Sequence, residues 1–132
     1  MNILQGNILK IKNQGNISLV YIQKEEDIFT SLVIERPGSV AYLENGHKVN
    51  MHFKETEVIL SKEKDLPTSL SNPFECIVDD IEKGMILSKI YLDYRTEKIH
   101  AVISTESLDR LHFKNGDRLY AFVKNNEIML SS

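Results

Sequence analysis

Apolar residues recur at a period of two along much of this chain. Ile17, Leu19 and Tyr21 alternate with Ser18, Val20 and Ile22. Ile99, Ala101 and Ile103 form a second alternating set, and Leu119, Ala121 and Val123 a third. A period of two, carried by β-branched and aromatic residues, is the mark of strands with one buried face. The pattern predicts ten short strands. Five lie near 5–12, 16–23, 28–34, 47–54 and 57–61, and five near 75–82, 85–93, 97–103, 117–124 and 127–131.

One stretch breaks the alternation with a helical signal. In Ser104-Thr105-Glu106-Ser107-Leu108-Asp109-Arg110-Leu111, Ser104 is a good N-cap and Glu106 suits the positive end of a helix. Leu108 and Leu111 share a face. Asn115-Gly116 then turns the chain into the next strand. Five short strands with one small helix before the fourth predict a compact OB-type barrel.

The second half repeats the first at a constant offset of 70 residues. Asn45-Gly46 returns as Asn115-Gly116, Val58-Ile59-Leu60 as Ile128-Met129-Leu130, and Lys54 as Lys124. A constant register means one structural unit copied twice. The expected fold is therefore all-β, two tandem OB-like five-stranded barrels, each with one short helix. The expected boundaries are 1–62 for the first module, 63–71 for a polar linker and 72–132 for the second module.

Composition narrows the class. Each copy has about 60 residues and is marginal alone, so packing of the copies or assembly across chains is expected. No apolar run approaches the ~18 residues of a membrane span, and the start of the chain has no basic segment before an apolar one. A single cysteine, Cys76, excludes an internal disulfide and fits a reducing compartment. A cytoplasmic protein is expected. The formal net charge of −3 argues against a general nucleic-acid binder, but a few local donors suffice for a small anion.

Ala101-Val102-Ile103-Ser104-Thr105-Glu106-Ser107, followed by Leu111, Gly116, Ala121 and Lys124, resembles the Mop (molbindin) or TOBE pattern. The opening Asn2-Ile3-Leu4-Gln5-Gly6-Asn7-Ile8 is similar to the start of that pattern. The resemblance spans both copies and implies a tandem, di-Mop protein that binds molybdate or tungstate in the cytoplasm, for storage, homeostasis or sensing. It also implies a homo-oligomer, such as a dimer or trimer. The ligand would be held intact, so neither an enzymatic role nor an organic cofactor is expected.

Residue chemistry agrees with that implication. A tetrahedral dianion needs converging donors: amides of a helix turn, short hydroxyls and a cation. The turn Ser104-Thr105-Glu106-Ser107 offers amides and hydroxyls. The resemblance puts Ser104 and Ser107 at the family's contact positions, and Lys124 at its lysine. Lys54 stands at the same register in the first copy. In the linker, Ser69 matches a family serine, whereas Ser71 stands where the family has an arginine that helps hold the anion. The expected oxyanion-binding set is Ser104, Thr105, Ser107, Lys124, Lys54, Ser69 and Ser71, with no direct cation ligands for a metal.

The first copy departs from the pattern. Ile34 replaces Ser104 and Pro37 replaces Ser107. Proline removes a backbone donor as well as a hydroxyl, although it suits the first turn of a helix. Lys54 stays available to a site whose helix turn comes from another module. Fewer competent sites than two per chain are expected. The alternative is a regulatory or interaction module that kept the fold, lost strong anion binding, and works with a DNA-binding or transporter partner. An OB-type single-strand binder would rely on Tyr91, Tyr94, Tyr120 and Phe122, without a basic groove.

Overall fold

The computed structural model describes residues 1–132. All ten strands form. They are β1 (Asn2–Gln14), β2 (Ile17–Lys24), β3 (Asp27–Val33), β4 (Lys48–Phe53), β5 (Ile59–Ser61), β6 (Phe74–Lys83), β7 (Leu87–Tyr94), β8 (Glu97–Ser104), β9 (Arg118–Phe122) and β10 (Met129–Ser131). One α-helix, α1 (Thr105–Leu111), follows β8, and 3-10 turns occupy Glu55–Glu57 and Asn125–Glu127. The chain is all-β and OB-like. No helix is long and apolar enough to cross a membrane.

The strands form two antiparallel five-stranded sheets, ordered β10-β4-β1-β2-β3 and β5-β9-β6-β7-β8. The last short strand of each repeat thus joins the sheet of the other. The compact units are residues 1–53 with 124–132, and residues 54–123. These limits cross the expected 1–62, 63–71 and 72–132 divisions. The exchange is reciprocal, because Met129 pairs with His52 as Ile59 pairs with Phe122, 70 residues apart on both strands. Alternation decides which face of such a strand is buried and does not choose its neighbour.

Within the first unit, Leu4, Ile8, Val20, Ile22, Phe29, Val49, Met51 and Phe53 are all buried, with Ile128 beside them from the exchanged segment. The second unit buries Phe74, Cys76, Val78, Ile90, Leu92, Ile99, Leu119 and Ala121 at matching registers, with Val58 and Leu60. Each large aliphatic side chain buried this way contributes roughly 1.5–3 kcal/mol. β1 and β6 carry a bulge at the same place, between Ile8 and Lys10 and between Val78 and Asp80. The amides of Gly46 and Gly116 donate to the bulged carbonyls of Ile8 and Val78, at 2.6 and 2.7 Å. Both glycines have φ near +80 to +90°, at +81 and +88°, where a side chain is disfavoured.

The repeats part company after β3 and β8. In the second unit Ser104 caps α1: its hydroxyl accepts the Ser107 amide at 3.0 Å. The helix ends on His112 in the left-handed region, whose amide donates to the Leu108 carbonyl. In the first unit residues 34–47 run as turns and bends, so the expected helix forms in the second repeat alone. Pro37 biases Arg36 away from the helical region. Gly38 then adopts φ +77°, which no right-handed helix tolerates. The amides of Gly38 and Ser39 bond locally to Leu43 and Arg36 carbonyls instead.

Candidate functional site

Pairing of β7 with β8 sets Leu87 opposite Ser104, at the strand end where α1 begins. A buried polar clasp holds that junction. Thr105 donates its hydroxyl to the Gly84 carbonyl at 2.8 Å and shares a 2.8 Å hydroxyl contact with Ser88. Its amide donates to the Ile86 carbonyl, also at 2.8 Å. Thr105 is 7% exposed and Ser88 is buried. Thr105 is buried and its hydroxyl and amide are both engaged within the protein, which gives it a structural role at this junction. The first unit has the counterpart: buried Ser18 donates to the Glu35 carbonyl at 2.6 Å. Sequence reading missed this serine pair, and its signal was a polar residue repeated on the apolar face of β2 and β7.

Ser104 and Ser107 face a different environment. Their hydroxyls lie 2.9 Å apart, and an Arg110 Nη2 donates to the Ser107 hydroxyl at 3.4 Å. All three line a pocket of about 320 Å³ together with Thr56, Val58, Ile59, Leu60, Val102, Ile103 and Leu111. That size lies at the small end of ligand sites, about 300–1,000 Å³. No carboxylate lines it. Three hydroxyls and one guanidinium face an otherwise apolar wall, a donor set suited to an anion with several acceptor oxygens. Arg110 was not singled out from the sequence. Its signal was the helical i,i+3 spacing from Ser107.

The other expected residues are not among those lining this pocket. Lys54 is exposed and belongs to the same unit as this pocket. Its amide donates to the Glu57 carboxylate at 2.8 Å, fixing the 3-10 turn that carries Thr56. Lys124 is exposed and belongs to the other unit, ahead of the turn Asn125–Glu127, which packs against β3. Ser104 and Lys124, grouped by sequence register, therefore fall in separate units. Ser69 is exposed and Ser71 half-buried, both in an irregular stretch before β6. Next to them Asn72 is buried at φ +56°, and its side-chain amide donates to the Val123 carbonyl at 2.9 Å.

Three shifted titrations lie on β7 and β8. The Glu82 carboxylate accepts from the Tyr91 hydroxyl and pushes its pKa up. Burial, then the charge of Lys89, pulls His100 down. Lys98 is raised, first by its bond to Asp93. No group of His, Cys, Asp or Glu side chains is gathered that could hold a metal ion. Cys76 is a buried free thiol.

The model of the TOBE domain matches residues 68–130. Among solved structures, the chain is similar to the cytoplasmic molybdate-binding protein ModG in a crystal form with molybdate bound. Identity is 21%, 98% of this chain and 94% of that chain are covered, and the TM-score is 0.90. At that identity the likeness is one of fold. A molybdate-binding protein from Sporomusa ovata is 31% identical over 51% of this chain and 100% of its own, with a TM-score of 0.49. No curated protein matches the sequence.

Proposed function

We propose, for a chain that belongs to the TOBE family through its second repeat, that it binds an intact tetrahedral oxo-dianion, molybdate or tungstate, for storage, homeostasis or sensing. The observation that carries this reading is the acid-free pocket of the second unit, lined by Ser104, Ser107 and Arg110; the resemblance to the Mop/TOBE pattern implies contact roles for the two serines. Molybdate bound to ModG, a protein of the same fold, supports the choice of ligand. The role is binding, because holding such an ion needs donors and no proton transfer. A reducing, cytoplasmic setting suits the single buried thiol.

The second reading, a regulatory or interaction module of the same fold, draws on Ile34, Pro37 and Ser71, each of which removes a polar group of the family pattern. Isothermal titration of the full chain with molybdate, tungstate and sulfate separates the two. Heat with the two heavier oxyanions supports the binding reading. Silence with all three overturns it in favour of the module. Self-association into a dimer or trimer is expected in either case and is measured by light scattering.

A further inference from the structure

Ser104, Ser107 and Arg110 are spaced by three along one short helix and its cap, and all three line the same pocket. The repeat provides a control for them. At the same register the first copy has Ile34, Pro37 and Val40. All three polar positions are replaced together by residues without a side-chain donor. The remaining frame of the two units agrees closely, down to the strand bulges and the buried serines. Three coordinated differences on one surface point to one shared task.

Helix α1 separates its charges. Asp109, beside Arg110 in sequence, lies on another flank with Ile81, Leu108, His112 and Phe113, and pairs with Lys83 at 2.7 Å. Arg110 makes no ion pair in the structure; its contact is the Ser107 hydroxyl, at 3.4 Å. That distance is long for an N–H···O bond, so most of the donors of the guanidinium remain available. A helix of seven residues is too short to be a strong source of field itself, so the positive charge at this pocket comes from a side chain.

We propose that Arg110 is the cation that holds the oxyanion in the second unit, in place of the arginine that the family pattern has where Ser71 stands. The proposal rests on the reading of this pocket as an oxyanion site. An arginine fork presents two parallel N–H groups to two oxygens of one tetrahedral dianion. The hydroxyls of Ser104 and Ser107 rotate to supply further donors beside it. Moving the arginine from the stretch before β6 onto α1 leaves the charge in the site and changes the element that carries it.

The test is titration of the full chain with molybdate and with sulfate, in wild-type protein, Arg110→Gln, Arg110→Lys and Asp109→Asn. Thermal melting without ligand is measured beside it. Charge-assisted hydrogen bonds to a bound ion predict that Arg110→Gln weakens molybdate binding roughly tenfold to a hundredfold. Arg110→Lys is expected to recover part of that loss. Asp109→Asn is expected to bind as wild type, since its carboxylate lies outside the pocket. Melting of Arg110→Gln should stay at the wild-type value, because the side chain is exposed. If wild type binds and Arg110→Gln binds equally well within twofold, the assignment of Arg110 is wrong while the oxyanion reading stands. If wild type binds no molybdate, the reading of the pocket fails and the proposal with it. Equal affinity for sulfate would mean that the pocket reads charge alone, overturning the choice of molybdate as ligand and leaving the arginine test intact.

Discussion

The connection between the third and fourth strands of each repeat starts from equivalent strands and ends in two different structures. In the second unit the chain leaves β8 through a serine cap into α1 and presents Ser104, Ser107 and Arg110 to one pocket. In the first unit it leaves β3 through Ile34 and Pro37 and runs as turns. Ile34 is 82% exposed. Both connections rest on the same base, a buried serine at Ser18 or Ser88 that bonds a residue at the start of the connection, Glu35 or Thr105. The difference therefore lies above the anchor, in the residues that decide between a helix and a series of bends. A single fold is kept while the chemistry on its rim is present in one copy and absent in the other.

The largest expected effect removes that chemistry from the second unit. Ser104→Ala with Ser107→Ala deletes two donors that would bond a charged ligand, each worth about 1.5–3 kcal/mol. Molybdate affinity should fall roughly a hundredfold or more in titration. Part of the loss at Ser104 would come through the helix, since its hydroxyl also caps α1. The single Ser107→Ala variant, which leaves that cap in place, separates ligand contact from helix stability.

A second experiment probes the scaffold the copies share. Cys76 is buried in the second unit, whereas Gly6 occupies the same register in the first. A Cβ on Gly6 would come within 2.6 Å of Ile22 Cγ2 and 2.8 Å of the Gln23 carbonyl oxygen. Gly6→Cys makes the repeats alike in sequence yet should destabilise the protein by about 1–3 kcal/mol through overpacking, read from the midpoint of urea unfolding. An unchanged midpoint would mean that the first unit relaxes to the geometry of the second.

A smaller effect distinguishes the two lysines. Lys54 lies in the unit with the hydroxyl pocket and Lys124 in the other. Both are exposed, and an exposed charge is worth about 0–1 kcal/mol to a nearby opposite one. Lys54→Ala should weaken molybdate binding by a few-fold at low salt, and Lys124→Ala by less than twofold. The reverse order would place the anion with the first unit.

Much of this architecture was legible in the sequence, for physical reasons that can be named. Ten strands followed from alternation, because a half-buried strand imposes a period of two on its side chains. The turn glycines, Gly46 and Gly116, followed from their asparagine partners. The exchange of β5 and β10 was not legible, because a three-residue strand carries too little pattern to specify its neighbour. The missing helix of the first repeat was foreshadowed by Pro37 followed at once by Gly38, a pair that disfavours helix on both sides. Within the site, the serine cap was legible, and the fate of Thr105 was not: hydroxyl position along a turn does not reveal which side is covered by the hairpin carbonyl of Gly84. The spacing of Arg110 from Ser107 puts it on the same face, but an arginine in the last turn of a helix is equally explained by the helix dipole.

The proposed oxyanion site belongs to one unit of the two. Its most direct test is the stoichiometry of molybdate in a calorimetric titration of the full chain at known oligomeric state. A site confined to the second unit predicts no more than one full-affinity site per chain, lost in the variant without the Ser104 and Ser107 hydroxyls. Two equivalent sites per chain, or one that survives loss of both hydroxyls, would contradict it.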